Sequence, residues 1–214
     1  MSSIKKVAII GNGLDVTVIS RSSQEVPAGA RALQADYNSI NSLSSALKGH
    51  DAVVSAVGAA GIVGQKVIID AAILAGVKRI IPGDYGSFNR IASIGKAVAG
   101  TLVNADKTKN GVLHIQETVV SQVKVLDLAK TAAPGGAEWK EMSVDPEEIL
   151  KAARINAAKN PADIFALYAL IKAIMLSGKY ETEYREVDNN LIGLVQLTDE
   201  DLKAQFVPLL AKAL

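Results

Sequence analysis

The chain has 214 residues, and its 23 basic and 22 acidic side chains nearly cancel. Balanced charge, with aromatic residues at only 4%, argues against nucleic acid or an anionic membrane surface as a partner. Cysteine is absent, which excludes disulfides, thiolate metal ligands and a cysteine nucleophile.

Neither metal binding nor membrane insertion is expected from the sequence. His50 and His114 lie far apart, and neither has a second histidine or a close carboxylate at the spacing of a metal site. The N-terminus lacks the features of a signal peptide, and no apolar stretch approaches the roughly 20 residues that span a bilayer. The prediction is therefore a cytoplasmic protein without a metal.

Short apolar runs alternate with helical patterns in the first part of the chain. The strand-like runs cover residues 6–10, 16–20, 30–35, 51–58 and 77–81. Helical patterns cover residues 39–48, where Ser39 can cap the helix, and 65–75, and the glycines Gly49 and Gly76 follow them. Helices between continuous apolar strands are typical of parallel sheets, so the pattern predicts an α/β fold with a mostly parallel sheet and flanking helices.

The later part of the chain is predicted to be mainly helical. Helical patterns cover residues 91–103, 119–131, 146–158, 162–176 and 199–214, and short strands are expected at 111–116 and 138–144. Asp145 and Thr198 are suited to cap the helices that follow them. The change in character near Asn89 predicts a first domain over residues 1–89 and a second, mostly helical part over 90–214.

The turn after the first apolar run is unusual for a Rossmann fold. That fold joins its first two parallel strands through a helix, opened by a G-x-G-x-x-G turn that holds a pyrophosphate. Here Gly11 and Gly13 are present, but the next strand-like run begins at Val16. Asn12-Gly13 favours an antiparallel hairpin, whereas parallel strands need a connection of about a dozen residues or more. Both pairings stay open, and the Rossmann-like sheet is incomplete because its phosphate-binding helix is missing.

Arg21 and Ser22 directly follow the second strand-like run. In dinucleotide-binding folds this position faces the adenosine ribose, where an acid accepts from the ribose hydroxyls and an arginine pairs with a 2′-phosphate. Arg21 therefore favours NADP(H), and the alternative is a solvated charge at the end of a strand. Asp36 and Tyr37 follow the third run and could approach the adenine edge.

Small side chains end the fourth predicted strand, at Ser55, Val57 and Gly58. Small residues at this position leave room for a cofactor to pass. They also permit close packing of a strand against a helix, and the sequence favours neither explanation over the other.

The order of these segments resembles the NmrA-like and isoflavone-reductase-like proteins, a group of atypical short-chain dehydrogenases. The resemblance is carried by residues 7–11, 15–21, 51–58, 64–72 and 75–82, with shorter likenesses at 84–86, 94–99 and 119–122. It implies a Rossmann-type NAD(P)-binding domain, NADP(H) as cofactor and, in enzymatic members, reduction of a small organic substrate such as an aromatic compound. It also places Gly11 and Gly13 in the glycine-rich turn, Arg21 at the 2′-phosphate and Gln65 near the nicotinamide.

The chain departs from the family pattern after Asn89. Family reductases continue there with a segment that contains their catalytic lysine, whereas this chain passes directly into a later helix. Lys96 matches a residue of that helix, so the catalytic residues stay unknown. Three functions are left open: an NADPH-dependent reductase, a non-catalytic NADP-binding regulator, or an internally deleted member without a cofactor function. The substrate and the oligomeric state do not follow from the sequence.

Overall fold

The computed structural model describes residues 15–58, 61, 64–83, 85, 91–135 and 137–211. Within these ranges the chain forms two compact units. The first contains residues 15–115 and 188–194, and the second contains residues 116–187 and 195–211. The domain boundary at Asn89 stays a prediction.

The first unit contains two pairs of short parallel strands. β1 (Val16–Ser20) pairs with β2 (Ala30–Gln34), with Val16 opposite Ala30. β3 (Ala52–Val54) pairs with β4 (Arg79–Ile81), with Val53 opposite Ile80. The parallel strands confirm the predicted α/β fold. The predicted strand at 6–10 and the turn with Gly11 and Gly13 lie outside the described residues.

Two helices cover the strands, close to their predicted positions. α1 (Ile40–Leu47) begins where the Ser39 side chain accepts a hydrogen bond from the Ser42 amide at 3.2 Å. α2 (Gln65–Leu74) ends before Gly76, which has a φ of 77°. Glycine adopts this left-handed conformation without steric cost, so the chain can turn there toward β4.

One hydrophobic core joins both strand pairs to both helices. Its buried members are Ala35, Leu43, Leu47, Val53, Ala71 and Ala72. Partly buried side chains from both strand pairs pack against these residues, including Ile19 on β1 and Ile80 on β4. The ends of both strand pairs are therefore fixed by the same core.

The remaining helices confirm the predicted helical C-terminal part. They are α3 (Ile91–Val103), α4 (Gln122–Ala132), α5 (Pro146–Lys159), α6 (Ile164–Leu176), α7 (Asn189–Ile192) and α8 (Asp199–Leu210). As predicted, the Asp145 side chain accepts from the Glu147 amide at the start of α5. Thr198 forms a reciprocal capping box with Asp201 at the start of α8.

The strand predicted at 111–116 is wrong. The His114 amide donates to the Asp188 carboxylate at 2.8 Å, and its carbonyl accepts from the Asp188 amide at 2.7 Å. Leu113 and Ile115 pack against a small cluster formed by Ala97, Ile192 and Leu194. The segment is bonded to Asp188, just before α7, and not to another strand. Apolar alternation alone therefore does not produce a β-ladder here.

The strand predicted at 138–144 is also wrong. Its apolar side chains are exposed, with Met142 at 76% and Val144 at 55% of their full accessibility. A strand needs a pairing partner for its backbone groups, and this segment is not part of any ladder among the described residues. The β-propensity of these residues is therefore not sufficient to form a strand without a neighbouring strand.

Candidate functional site

The carboxyl ends of β1 and β2 form a shallow groove. Arg21 follows β1, Ala35 and Asp36 follow β2, and Ser42 lies in the first turn of α1. Together with Gln34 they line a volume of about 420 Å³. Ligands of parallel α/β sheets bind at the carboxyl ends of the strands, so the groove lies at the end of the sheet where a ligand is expected.

The Arg21 guanidinium differs from those of the other described arginines, because it has no polar partner among the described residues. Gln34 Nε2 donates to the Arg21 carbonyl at 2.8 Å, which fixes the backbone, but the guanidinium forms no ion pair within the described residues. It lies over the Tyr37 ring, 6.0 Å from its centroid. The other described arginines donate to a side chain or carbonyl of the protein: Arg31, Arg79, Arg154 and Arg185.

Tyr37 is fixed beneath the Arg21 guanidinium. Its hydroxyl donates to the Ile19 carbonyl at 2.6 Å, and the side chain packs on the core of the first unit. Burial raises the pKa of the Tyr37 phenol, and the positive charge of Arg21 lowers it to a smaller extent. The phenol is neutral at physiological pH, as an ordinary tyrosine is, so an uncharged aromatic ring faces the guanidinium.

The polar groups beside Arg21 shape the turns that follow β1 and β2. Ser20 Oγ donates to the Ser22 carbonyl at 2.6 Å, so the exposed Ser22 lies in a closed turn. The Asp36 amide donates to Ser42 Oγ at 3.0 Å, and the Asp36 carboxylate accepts from the Asn38 amide at 2.9 Å. The groove thus combines a guanidinium and a carboxylate, which suits a ligand with both an anionic group and hydrogen-bond donors.

A second polar group lies at the carboxyl ends of β3 and β4. The Ser55 amide continues the ladder by donating to the Ile81 carbonyl at 2.8 Å. The Gln65 side chain accepts from the Gly83 amide at 2.6 Å, and the Tyr85 hydroxyl donates to the Ser55 carbonyl at 2.8 Å. These bonds join the two strand ends to the beginning of α2.

Ser55 carries the unsatisfied polar atom of this second group. The residue is only 5% exposed, and its hydroxyl has no hydrogen-bond partner within the described chain. A buried hydroxyl without a partner costs about 1–3 kcal/mol, and a hydrogen-bonding group of a ligand at this position would remove that cost. Gly83 keeps the adjacent space open, because a Cβ there would lie 3.1 Å from the Ser55 carbonyl oxygen.

Tyr85 is a contributor that the residue pattern did not identify as part of the site. Burial raises the pKa of its phenol to about 12, so the hydroxyl stays protonated and acts as a hydrogen-bond donor at neutral pH. The sequence shows that Tyr85 closely follows Pro82-Gly83 at the end of a strand. Its contact with Ser55 spans 30 residues and had no local signal.

The predicted cofactor residues therefore fall into two groups and a remainder. Arg21 and Ser22 lie at the end of β1. Ser55 and Gln65 lie together at the ends of β3 and β4, where Gln65 accepts from the Gly83 amide beside Ser55. Val57 and Gly58 follow Ser55 and are half-buried, and no atom of the described residues lies within 4 Å of a Cβ placed on Gly58. Gly11 and Gly13 lie outside the described residues. Lys96 is exposed on α3.

The comparisons with known proteins concern the first part of the chain. Residues 6–93 match the model of a family described as NAD(P)H-binding. The oxidoreductase poxI of Penicillium oxalicum is 42% identical over 74 residues, which are 34% of this chain and 23% of that protein. The same protein from strain 114-2 of that species gives the same values. No solved structure is significantly similar to the chain.

These similarities support a nicotinamide cofactor and a small-molecule ligand, and they do not distinguish NADPH from NADH. The chain spans less than a quarter of the length of the curated relatives it matches. None of the helices described is long and apolar enough to cross a membrane. Within the same residues, no group of three or more acidic or histidine side chains could hold a metal ion.

Proposed function

We propose that this chain binds NADP(H) at the carboxyl ends of its parallel strands. We further propose that it is an NADPH-dependent oxidoreductase of the NmrA-like and isoflavone-reductase-like group, acting on a small organic substrate such as an aromatic compound. The match to an NAD(P)H-binding family and the partial likeness to an oxidoreductase support a nicotinamide cofactor and an oxidoreductase role, whereas the group and the substrate class rest on the resemblance of the residue pattern.

The observation that carries the proposal is that the Arg21 guanidinium at the groove has no ion-pair partner among the described residues. A phosphate provides acceptor oxygens and a compensating charge, and bonds of this kind are stronger than those between neutral groups. Ser22 follows Arg21 and would add a hydroxyl donor on the same side of the ligand. Asp36, which shares the groove, could accept from the amino group of adenine.

The second group of residues suits the remainder of a dinucleotide. The Ser55 hydroxyl, which has no hydrogen-bond partner among the described residues, would gain one from the cofactor, and no described atom lies within 4 Å of a Cβ placed on Gly58. Gln65 stands at the start of α2 and anchors Gly83, so it would shape the floor of this region. Bound NADPH would supply the hydride for a reduction, while the residue that supplies the proton stays unassigned.

A second candidate is a regulator that binds NADP(H) without turnover. Lys96, which could be taken for the proton donor, is exposed on α3. The segment that holds the catalytic lysine of the family reductases has no counterpart between Asn89 and Ile91. Binding without consumption of NADPH would distinguish this candidate from a reductase.

A fluorescence titration with NADPH tests the proposed cofactor. We expect a saturable change at micromolar protein, and Arg21→Ala should weaken NADPH by about 10- to 100-fold while NADH changes less than about twofold. Arg31→Ala is the matched control, because Arg31 lies on β2 and pairs with the exposed Asp15 at 2.7 Å. It should leave both affinities unchanged.

The same titration can overturn the proposal. No saturable signal up to millimolar NADPH would exclude both the reductase and the regulator, and would favour an internally deleted protein without a cofactor function. Equal weakening of NADPH and NADH by Arg21→Ala would contradict the assignment of the 2′-phosphate. If NADPH binds, its consumption with a panel of aromatic enones and benzylic ethers would favour the reductase.

A further inference from the structure

We infer that Tyr37 is a specificity-determining positioning residue, whose ring holds the Arg21 guanidinium at the groove so that the chain selects a 2′-phosphorylated nucleotide. This inference rests on the proposed NADP(H) binding. It adds to the proposed role of Arg21 a contact that holds the guanidinium in place. Tyr37 acts through Arg21, and no contact of its own with the phosphate is needed.

Arg21 needs such a support because of where it lies. It is exposed just beyond the last residue of β1, and its guanidinium is not held by an ion pair within the described residues. A long, unpaired arginine side chain has many rotamers, and binding must fix one of them at an entropic cost. A surface that fixes the guanidinium in advance lowers this cost.

The Tyr37 ring provides that surface. The guanidinium carbon of Arg21 lies 6.0 Å from the ring centroid, at the outer edge of the range in which a cation is attracted to an aromatic face. The attraction depends on the face of the ring, so an aliphatic side chain of similar size cannot replace it. This distinction makes the inference testable by substitution.

The ring is itself fixed to the strand that carries Arg21. The Tyr37 hydroxyl donates to the Ile19 carbonyl at 2.6 Å, and Ile19 lies two positions before Arg21 on the same chain segment. Gln34 on β2 also donates to the Arg21 carbonyl at 2.8 Å. The backbone and the side chain of Arg21 are thus held from two directions, and Tyr37 provides the contact to the guanidinium.

The inference predicts a loss of selectivity without a general loss of binding. Tyr37→Leu removes the aromatic face, so the dissociation constant for NADPH should rise about three- to fivefold while that for NADH stays unchanged. Tyr37→Phe keeps the ring and should retain most of the preference for NADPH. In an Arg21→Ala background, Tyr37→Leu should have no further effect on NADPH, because the guanidinium it supports is gone.

The decisive measurement is the ratio of NADPH to NADH affinity, determined by fluorescence titration for the wild type and each variant. Competition with 2′-AMP and with 5′-AMP adds a readout limited to the phosphate position. Tyr37→Met serves as a second variant without a ring, in case Tyr37→Leu fails to fold as judged by circular dichroism.

Each outcome decides the matter. A fall in the NADPH preference with Tyr37→Leu or Tyr37→Met, absent in the Arg21→Ala background, supports the inference. Equal weakening of both nucleotides, or an unchanged NADPH affinity, overturns it while leaving the proposed cofactor intact. Absence of NADPH binding by the wild type overturns the proposed function itself, and this result is visible before any variant is compared.

Discussion

The two strand pairs of the first unit differ in the polar groups that lie at their carboxyl ends. Beyond β1 and β2 lies an exposed groove with a charged guanidinium, and beyond β3 and β4 lies a largely buried, uncharged group around Ser55. An exposed charge contributes little to folding, whereas a buried hydrogen-bonded group contributes to folding and to any ligand it holds. Substitutions at the first end should therefore change selectivity, and those at the second should change stability as well.

The largest expected effect is at Gly83 in the buried group. Gly83→Val places a Cβ about 3.1 Å from the Ser55 carbonyl oxygen and adds two further methyl groups, so we expect a loss of about 3 kcal/mol in the free energy of unfolding. Urea denaturation followed by circular dichroism measures it. Gly58→Val is the matched control, because nothing in the described residues lies within 4 Å of a Cβ at this position. Equal losses in both variants would contradict the crowding at Gly83.

Tyr85→Phe should have the next largest effect. It removes the hydroxyl that donates to the Ser55 carbonyl at 2.8 Å, and we expect a loss of about 1.5 kcal/mol in the free energy of unfolding at neutral pH. Tyr168→Phe, at a tyrosine that is 52% exposed, is the control and should change stability by less than about 0.5 kcal/mol. An unchanged midpoint in Tyr85→Phe would show that this bond contributes nothing.

The same tyrosine should make the protein sensitive to alkali. Burial raises the pKa of Tyr85 from 10.0 to about 12, so its neutral form favours the folded state. This contribution is complete below about pH 10 and is lost as the pH rises toward about 12. Denaturation midpoints between these values should fall less steeply in Tyr85→Phe than in the wild type. Parallel curves would contradict the buried phenol.

Ser55→Ala should separate stability from binding. The substitution removes a buried hydroxyl that has no partner in the described part of the chain, so the protein without cofactor should gain about 1 kcal/mol of stability. If the hydroxyl serves the cofactor, NADPH and NADH should both bind more weakly. Ser93→Ala is a useful comparison, because Ser93 is also buried but has a partner. A less stable Ser55→Ala protein would contradict the unsatisfied hydroxyl.

The smallest effect is expected at the exposed groove. Gln34→Ala removes the bond from its side chain to the Arg21 carbonyl, which is solvent-exposed, so stability should change by less than about 0.5 kcal/mol. The preference for NADPH over NADH should fall slightly, since the backbone of Arg21 is less well fixed. A loss of stability as large as that of Tyr85→Phe would remove the distinction between the two ends.

Much of the first unit could be predicted from the residue pattern. The positions of β1, α1 and α2 follow from apolar periodicity, and so does the place of Arg21 directly after β1. The predicted strand at 51–58 is too long, since β3 covers only Ala52–Val54 and the bond from the Ser55 amide to the Ile81 carbonyl extends the pairing by one residue. The length of a strand depends on where the neighbouring strand turns away from it, and the sequence of a single segment does not contain that information.

The contacts that organise the site could not be predicted in the same way. The bond from Tyr37 to Ile19 spans 18 residues, and the bond from Tyr85 to Ser55 spans 30. Such contacts depend on the register of parallel strands and on the packing of a shared core. Tyr37 was expected near adenine from its place after the third strand, and its position beneath Arg21 emerged only from the fold.

The sequence by itself determined the local features of this protein. Ser39, Asp145 and Thr198 cap their helices because each side chain needs only an amide two or three residues ahead. The tertiary structure alone decided that the Arg21 guanidinium lies over the Tyr37 ring and that the Ser55 hydroxyl is buried with no hydrogen-bond partner among the described residues. Both outcomes depend on groups that are distant in the chain, which only a folded core brings together.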